Sequence, residues 1–231
     1  MFAFVFFFIA YALAVGGLLS ATFHLGNPKN SLKAFSQWRT SWLSREGCCA
    51  VVALMIMGIY AIGAIFFETH WVIIGGIGAI LSIVTVFTTS MIYAQLKTVP
   101  RWNHWTTPVL FVSLSLFGGA LMTGQVTVAM YGFVAVGLIQ VIAWFTSDNR
   151  FANSGSTIET ATGLGNIGKV RMFEPPHTGT NYLLKEMVYV IGRKHAAKLR
   201  LLAIILMVVI PVLMLGMGAQ HGMKAIVAVL S

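Results

Sequence analysis

The runs GCCAVVALMIMGIYAIGAIFF at residues 47–67 and WVIIGGIGAILSIVTVFTTSMIYA at residues 71–94 decide the fold of this chain. Neither run contains a charged residue, and only Glu-Thr-His at residues 68–70 separates them. Each has the roughly 20 residues that an α-helix needs to cross the hydrocarbon core of a bilayer. Because so short a connection joins neighbouring antiparallel helices, the two runs predict a transmembrane helical hairpin.

Further apolar runs extend this pattern over most of the 231 residues, of which 58% are hydrophobic and 9% charged. A soluble domain averages about 25% charged residues. The runs cover residues 1–23, 106–146 and 201–220, and the second can cross twice, with a weak Thr-Gly-Gln break at residues 123–125. We predict an all-α polytopic transmembrane bundle of six full helices plus a partial seventh, as one membrane domain over residues 1–231. The first run lacks the basic start of a signal peptide, so we expect it to remain as a spanning helix.

The positive charge, +9 in total, is confined almost entirely to alternate connections. Fourteen of the 15 Lys and Arg residues lie in the segments after the first, third and fifth helices, and only Lys224 lies elsewhere. If successive helices cross the membrane in alternating directions, these segments all lie on one side of it. The positive-inside rule makes that side cytoplasmic. The charge therefore indicates orientation in a lipid bilayer, and we expect no nucleic acid partner.

The connection between the first two helices has an amphipathic pattern. Leu32, Phe35, Trp38 and Trp42 recur at near-helical spacing, while basic residues lie off that stripe. The pattern predicts a short interfacial helix over residues 31–44 that lies in the plane of the lipid headgroups.

Residues 147–200 form a long polar segment. Its first part is rich in Ser, Thr, Gly and Asn, and its second part is basic and compatible with a helix. The motif GLGNIG at residues 163–168 matches a dinucleotide-binding fingerprint, but no strand pattern precedes it, so we interpret it as a linker. We interpret the whole segment as a cytoplasmic docking arm between the fifth and sixth helices. A merely solvated loop fits these residues equally well.

Several redox and transport functions lack the side chains that they require. Haem in a membrane bundle needs paired histidines within facing helices, and here the histidines lie at helix ends or in connections. Cys48 and Cys49 are too few for an iron–sulfur cluster, and we expect no metal site. Ion-coupled transport usually places charged residues within the spans, which have none, although a facilitator of a small solute remains open. We assign the polar residues of the spans to helix packing: Thr88, Thr89, Gln125 and Gln140.

His24 and Glu46 form a candidate site at the membrane rim. The chain leaves the bilayer at His24 and re-enters it at Glu46, so both residues return to the same depth on one face. A histidine and a partly desolvated carboxylate suit quinone chemistry, which moves two protons with two electrons. Alternatively, His24 caps its helix while Glu46 pairs with Arg45 or Arg39 at the surface. The residues alone favour this structural alternative.

Three sequence blocks resemble one known family. They are HLGNP at residues 24–28, LSREG at residues 43–47 and IYAQLKTVPRWNHWTTP at residues 92–108, in the order and at the helix boundaries of that family. The family comprises the membrane-anchor subunits of dimethyl sulfoxide reductase-type molybdoenzymes, the DmsC family. SQWRTSWLSREG at residues 36–47 and RMFEPPHTGTNYLLKEM at residues 171–187 are most similar to the anchors of sulfite-oxidising enzymes.

The resemblance implies a helical bundle without haem or an iron–sulfur cluster of its own, which is not catalytic alone. It implies two partners, an iron–sulfur subunit and a molybdopterin catalytic subunit, and a quinone or quinol, either menaquinone or ubiquinone, as cofactor. The histidine of HLG-x-P and the glutamate that opens the next helix, here His24 and Glu46, are the family's quinone-reactive residues. The resemblance thus reverses the preference for the structural alternative. We expect four more residues to shape the pocket: Arg39, Trp38, Trp42 and Trp102.

The chain also departs from the family pattern. Members usually have eight helices, and HLG-x-P closes the second of them, whereas here it closes the first; we expect a chain shortened at both ends. The charge distribution places the site and the docking arm on the cytoplasmic side of a bacterial inner membrane, as in the sulfite-oxidising relatives. The expected function is a quinone-reactive anchor. A small-solute facilitator and a purely structural anchor are the alternatives.

Overall fold

The computed structural model describes residues 2–23, 28–171, 173 and 191–217. All regular elements in these residues are helical, which confirms the predicted all-α class. The α-helices are α1 (Phe2–Phe23), α2 (Trp42–Phe66), α3 (Val72–Ala94), α4 (Thr106–Met122), α5 (Val126–Ala152), α6 (Ile158–Thr162), α7 (Ala196–Ile204) and α8 (Ile210–Gly216). Two 3-10 helices cover Pro28–Phe35 and Leu164–Asn166, and a π-helical turn, Ile205–Val209, joins α7 to α8.

Five stretches of the described residues are long and apolar enough to cross a membrane: Ala3–Ala21, Trp42–Phe66, Val72–Ala94, Val126–Ala152 and Ala196–Gly216. A sixth helix, α4, is apolar but has only 17 residues. The six predicted helices are therefore present as apolar helices, and five of them have the full length of a membrane span. The predicted break at residues 123–125 separates α4 from α5, and Gly124 there adopts φ +78°, a conformation that glycine tolerates best. The predicted partial seventh helix lies outside the described residues.

The chain divides into two compact units, residues 1–115 and 116–231. In the first unit α2 and α3 form the predicted hairpin, and two glycines let the helices approach closely. A Cβ atom on Gly63 would lie 2.8 Å from Cε3 of Trp71, and one on Gly75 would lie 2.9 Å from Cε2 of Tyr60. A larger residue would force the facing ring or the helix to shift, so these glycines allow the hairpin to pack closely.

The turn of the hairpin relies on a single carbonyl group. The Gly63 carbonyl accepts hydrogen bonds from the amides of Phe67 and Thr69, both at 3.1 Å, and Glu68 adopts φ +50°. These bonds satisfy a carbonyl that the end of α2 would otherwise leave open. The chain is thereby reversed within a few residues, and α3 begins at Val72.

Aromatic residues join α1 to α2 in the same unit. The Tyr11 hydroxyl donates a hydrogen bond to the Leu54 carbonyl at 2.5 Å. Phe7 packs edge-on against Tyr60, with ring centroids 6.0 Å apart. Most other described side chains of α1 are exposed. An apolar helix exposed to this degree requires an apolar surrounding, which lipid supplies.

In the second unit α5 packs against the last helical stretch. Leu121, Ala129, Phe133 and Leu215 form a buried cluster. The π-helical turn immediately precedes Pro211, whose ring nitrogen has no hydrogen to donate to the helix. Interrupted helical bonding beside a proline accounts for a π-turn at this position.

Several helix boundaries differ from the prediction. A 3-10 helix, Pro28–Phe35, and turns at residues 36–40 replace the predicted interfacial α-helix over residues 31–44. α2 already begins at Trp42, because the Ser41 hydroxyl caps it by accepting the Ser44 amide at 3.4 Å. Likewise α5 continues to Ala152 and α7 begins at Ala196, so both ends of the predicted arm at 147–200 are helical. Polar and charged residues at helix ends were wrongly assigned to connections.

Candidate functional site

Glu46 lies just after the first turn of α2 and is half-buried. The Thr89 hydroxyl of α3 donates a hydrogen bond to its Oε1 atom at 2.8 Å, which is a typical distance for a hydroxyl and a carboxylate. This bond links the start of α2 to the end of α3 across 43 positions of the sequence. The hairpin therefore supplies Glu46 with a neutral partner.

The register of the hairpin explains why these two residues meet. Glu46 precedes Phe67 by 21 residues, and Thr89 follows Glu68 by 21 residues. Tyr60 and Gly75, which are in contact, are likewise equidistant from the turn, at 7 residues each. Antiparallel helices rise by the same distance per residue, so residues equidistant from the turn lie opposite one another.

The Thr89 hydroxyl has two acceptors within reach. Its oxygen lies 2.9 Å from the carbonyl oxygen of Thr85 as well as 2.8 Å from the Glu46 carboxylate. The neighbouring Thr88 hydroxyl also approaches the Thr85 carbonyl, at 2.8 Å. A hydroxyl has one proton to donate, so Thr89 serves either the carboxylate or the carbonyl at a given moment.

Arg45 is engaged by the connection that precedes α2. Its Nε donates to the Trp38 carbonyl at 2.9 Å, and its Nη2 donates to the Arg39 carbonyl at 2.6 Å. Its guanidinium carbon also lies 4.3 Å from the centroid of the Trp42 ring. In the described part of the chain, neither Arg45 nor Arg39 forms an ion pair with Glu46. The alternative in which Glu46 pairs with either arginine is therefore wrong. Arg45 binds backbone carbonyls of the connection instead, and Arg39 lies against the Trp38 ring.

The predicted aromatic residues lie at different distances from this contact. Trp42 packs edge-on against Phe87 of α3, with centroids 6.3 Å apart. Trp102 packs edge-on against Tyr93 at 5.5 Å, and Tyr93 lies about one helical turn beyond Thr89. Trp38 is 56% exposed, with the guanidinium of Arg39 5.6 Å from its ring. Trp42 and Trp102 thus pack against the end of α3, whereas Trp38 and Arg39 lie on the exposed connection.

His24 lies outside the described residues, so its predicted meeting with Glu46 stays a prediction. The segment that follows it can be located. Phe35, at the end of the 3-10 helix, packs against Gly47, where an added Cβ atom would lie 3.1 Å from Cε1 of the ring. The connection after α1 therefore returns to α2 directly beside Glu46.

The connection between α3 and α4 is ordered by its own side chains. The Asn103 amide donates to the Ala94 carbonyl at 2.6 Å, and the Thr107 hydroxyl donates to the Trp102 carbonyl at 2.7 Å. Nδ1 of His104 lies 3.1 Å from the hydroxyl of the buried Thr106. These bonds hold Trp102 in place beside the end of α3.

Ser44 is a buried polar residue near the start of α2. Its side chain is 1% exposed, and its hydroxyl has no hydrogen-bond partner within the described residues. It lies two positions before Glu46, which is about 200° around a helix, so it belongs to a different face of α2. Leaving a buried hydroxyl unpaired costs free energy, so Ser44 is a local weak point beside the site.

A bound quinone is compatible with the donors and acceptors present at Glu46. One carboxylate oxygen accepts the Thr89 hydroxyl, which leaves the other oxygen for a ligand, and the neighbouring Trp42 and Phe87 supply aromatic surface. Among the described residues no three His, Cys, Asp or Glu side chains come together as metal ligands. The chemistry available at this place is hydrogen bonding and proton exchange.

Thr89 is the functional candidate that sequence reasoning missed, because an uncharged residue within a span was assigned to helix packing. That assignment describes Thr88, whose hydroxyl bonds to a carbonyl of its own helix. The register of the hairpin would have indicated Thr89, since the short connection at residues 68–70 locates the turn and hence the residues opposite Glu46.

Comparison with known proteins agrees with the resemblance of the three sequence blocks. The model of the DMSO reductase anchor subunit (DmsC) family matches residues 2–230. A sulfite dehydrogenase subunit of Allochromatium vinosum is 27% identical over 239 residues, which cover 93% of this chain and 73% of that protein. No solved structure matches the chain. Because the family model spans nearly all of the sequence, this chain belongs to the DMSO reductase anchor subunit (DmsC) family.

Proposed function

We propose that this anchor subunit reacts with quinone or quinol and passes electrons between the quinone pool and a partner iron–sulfur subunit of a molybdoenzyme. The observation that carries the proposal is the setting of Glu46. Its carboxylate is half-buried at a helix end, accepts a neutral hydroxyl, and forms no ion pair within the described residues. The second oxygen of this carboxylate has no partner among the described residues and can take a hydrogen bond from a ligand.

Quinone, when bound, supplies two-electron chemistry that is coupled to two protons. In the proposal the free oxygen of the Glu46 carboxylate exchanges a proton with the quinone head group, and His24 serves its other side. Phe35 supports this pairing, because its contact with Gly47 brings the connection after α1 back beside Glu46. A positioned acid or base of this kind contributes about 10²- to 10⁴-fold to a rate.

Aromatic residues are proposed to shape the pocket. Trp42 and Trp102 contact α3 on either side of Thr89 along the helix, through Phe87 and Tyr93. Trp38 and Arg39 lie on the exposed connection. They are proposed to line the entrance of the pocket on the side of the lipid headgroups. Such residues at a membrane interface present apolar surface to lipid and polar groups to water.

The orientation and the partners belong to the same proposal. The basic connections are placed on the cytoplasmic side of a bacterial inner membrane, where residues 147–200 dock the iron–sulfur subunit. The relative from Allochromatium vinosum bears the name of a sulfite dehydrogenase subunit, which favours a sulfite-oxidising molybdopterin partner. The electrons would then flow from that partner towards quinone.

The test uses the chain coexpressed with its molybdopterin and iron–sulfur partners. We expect His24→Ala and Glu46→Gln each to weaken binding of a quinol-site inhibitor and to lower quinone-linked turnover, while assembly of the complex is retained. Glu68→Gln is the matched control, because it neutralises a carboxylate at the opposite end of α2.

Three outcomes would contradict the proposal in different ways. Unchanged inhibitor binding and turnover in both variants would leave a purely structural anchor. A chain that copurifies with no molybdoenzyme would favour the small-solute facilitator instead. Equal losses in Glu68→Gln and Glu46→Gln would indicate a general effect of removing charge from the hairpin.

A further inference from the structure

We propose that Thr89 is a positioning residue, which holds the Glu46 carboxyl group by a hydrogen bond in both of its protonation states. This inference rests on the proposed role of Glu46 in quinone chemistry. Thr89 lies on the opposite helix of the hairpin, and no contact with quinone is assigned to it. Two acceptor oxygens around the Thr89 hydroxyl make this role possible.

The Thr89 hydroxyl stands between a stronger and a weaker acceptor. The Glu46 Oε1 atom lies 2.8 Å from it, and the Thr85 carbonyl oxygen lies 2.9 Å from it. A bond to an ionised carboxylate is roughly twice as strong as one between neutral groups. The Thr85 carbonyl also has the Thr88 hydroxyl at 2.8 Å, so it keeps a donor when Thr89 turns away. With Glu46 ionised, the proton of Thr89 therefore points to the carboxylate.

The same geometry accommodates a protonated Glu46. A proton on the free oxygen, which faces the quinone in the proposal, leaves Oε1 as a carbonyl oxygen that still accepts the Thr89 hydroxyl. A proton on Oε1 instead donates to Oγ1 of Thr89, which still has free lone pairs, and the proton of Thr89 turns to the Thr85 carbonyl. The ionised and protonated states differ by one proton on Glu46 and, where that proton lies on Oε1, by a rotation of the Thr89 hydroxyl hydrogen. No heavy atom has to move, and the bond between α2 and α3 survives in both states.

The arrangement avoids the loss of a hydrogen bond when a carboxyl group within a helix bundle changes its protonation state. A half-buried carboxyl group that lost its only partner on protonation would need to find another one or remain unpaired. Because a threonine hydroxyl both donates and accepts, it suits either state, whereas an arginine or lysine partner only donates. Thr89 thus fixes where the carboxyl group lies without fixing its charge.

Two isosteric substitutions separate this role from packing. Thr89→Val and Thr88→Val each replace one hydroxyl by a methyl group, and both hydroxyls approach the same Thr85 carbonyl. Only the first substitution removes a bond to Glu46. Thr89→Ser restores the hydroxyl. A general folding defect would appear in Thr88→Val as well, since Thr88 is the more buried of the two residues.

The first measurement is infrared spectroscopy of the full chain in detergent or nanodiscs. The carboxyl stretching bands of Glu46 are those that vanish in Glu46→Gln. We expect them to shift in Thr89→Val, to stay in place in Thr88→Val, and to return in Thr89→Ser. Unshifted bands in Thr89→Val would overturn the proposal, because the bond to Glu46 would then be absent in the membrane protein.

The second measurement is quinone-linked turnover of the complete complex. We expect kcat/KM for the quinone substrate to fall about tenfold in Thr89→Val, as for loss of one hydrogen bond to a charged group. If Glu46→Gln abolishes turnover while Thr89→Val equals the wild type, the role of Thr89 alone is overturned. If Glu46→Gln leaves turnover intact, the proposed function itself fails and the positioning role fails with it.

Discussion

Two carboxylates near helix ends, one in each unit, are held in opposite ways. Among the described residues, Glu46 accepts one neutral hydroxyl, from Thr89 at 2.8 Å. Asp148 receives both terminal nitrogens of Arg200, at 2.8 and 2.9 Å, in a bidentate ion pair between α5 and α7. The Arg200 guanidinium also lies 5.5 Å from the centroid of the Trp144 ring. In the described part of the chain, Asp148 is thus held by an ion pair, whereas Glu46 is held by a hydrogen bond from a neutral hydroxyl.

The difference teaches how the same chemical group serves two purposes. A bidentate arginine has donors and no acceptor, so it stabilises the ionised carboxylate and offers no acceptor to the O–H of the protonated form. A threonine stabilises either form. The Asp148 pair joins the two ends of the arm segment across 52 positions, which is a structural task. Glu46 has the partner that suits a group that exchanges protons.

The largest expected effect is on quinone-linked turnover, and the same assay compares the two carboxylates directly. Removing the ionisable group by Glu46→Gln should lower quinone-linked turnover of the assembled complex by about a hundredfold or more, because a positioned acid or base is lost. Asp148→Asn should lower turnover far less, because in the proposal Glu46 exchanges protons with quinone whereas the Asp148 pair joins α5 to α7. Similar losses in the two variants would remove the distinction drawn between the two carboxylates.

The next effect concerns stability. Asp148→Asn should lower the thermal stability of the chain in detergent by about 1 kcal/mol or less, because both partners are more than a third exposed and solvent screens the pair. Arg200→Lys should cause a similar loss, since an ammonium group cannot reproduce the bidentate geometry. Thermal unfolding measured at low and high salt checks both. Full stability of both variants would mean that the ion pair does not stabilise the ends of the arm.

Ser44 offers a third case, a polar group without any partner in the described residues. Ser44→Ala removes a buried hydroxyl that is 1% exposed, and the alanine should raise the stability of the chain by about 0.5–1 kcal/mol. Thermal unfolding of Ser44→Ala beside the wild type measures this. A lower stability would show that the hydroxyl has a partner in the assembled membrane protein. Inhibitor binding to Ser44→Ala would then show whether that partner lies at the quinone site.

The smallest effect concerns a third carboxylate, that of Glu159 at the start of α6. Hydrogen bonds to its own backbone and to the Thr157 side chain hold the pKa of Glu159 below its ordinary value. Ionised Glu159 therefore stabilises α6 above the ordinary pKa of the group, and this contribution is lost as the pH falls through the lowered pKa. A carbon-13 NMR titration of the glutamates should show the lowered pKa of Glu159, and a smaller shift in Thr157→Ala, which keeps the bond to the backbone. An ordinary pKa for Glu159 would contradict its hydrogen bonds to the backbone and to Thr157.

The predicted connections were the least accurate part of the sequence analysis. Arg45 was placed in the connection and Glu46 at the opening of the second helix, because charged residues were taken to end a span, yet Ser41 caps α2 and both residues belong to its first turns. The amphipathic stripe from Leu32 to Trp42 predicted one α-helix, but Arg45 binds the carbonyls of Trp38 and Arg39, which lie in turns. The periodicity of apolar residues cannot predict such hydrogen bonds from a side chain to the backbone.

The candidate site could be predicted only in part. Glu46 followed from its place at the end of a charge-free run and from its resemblance to the family motif, and Trp42 and Trp102 followed from their places in the connections. Thr89 did not follow, because a threonine in a span is more often a packing residue. The predicted contact between His24 and Glu46 stays a prediction.

The sequence by itself determined the six apolar helices of the described residues, five of them long enough to cross a membrane, and where α4 gives way to α5. The physical reason is that hydrocarbon thickness demands about 20 apolar residues for each crossing, so uncharged runs and their breaks can be read directly. Only the tertiary structure decided which hydroxyl meets Glu46 and that Arg45 does not. Those contacts depend on the register and rotation of α2 against α3, which Gly63, Gly75 and the turn at Glu68 set together.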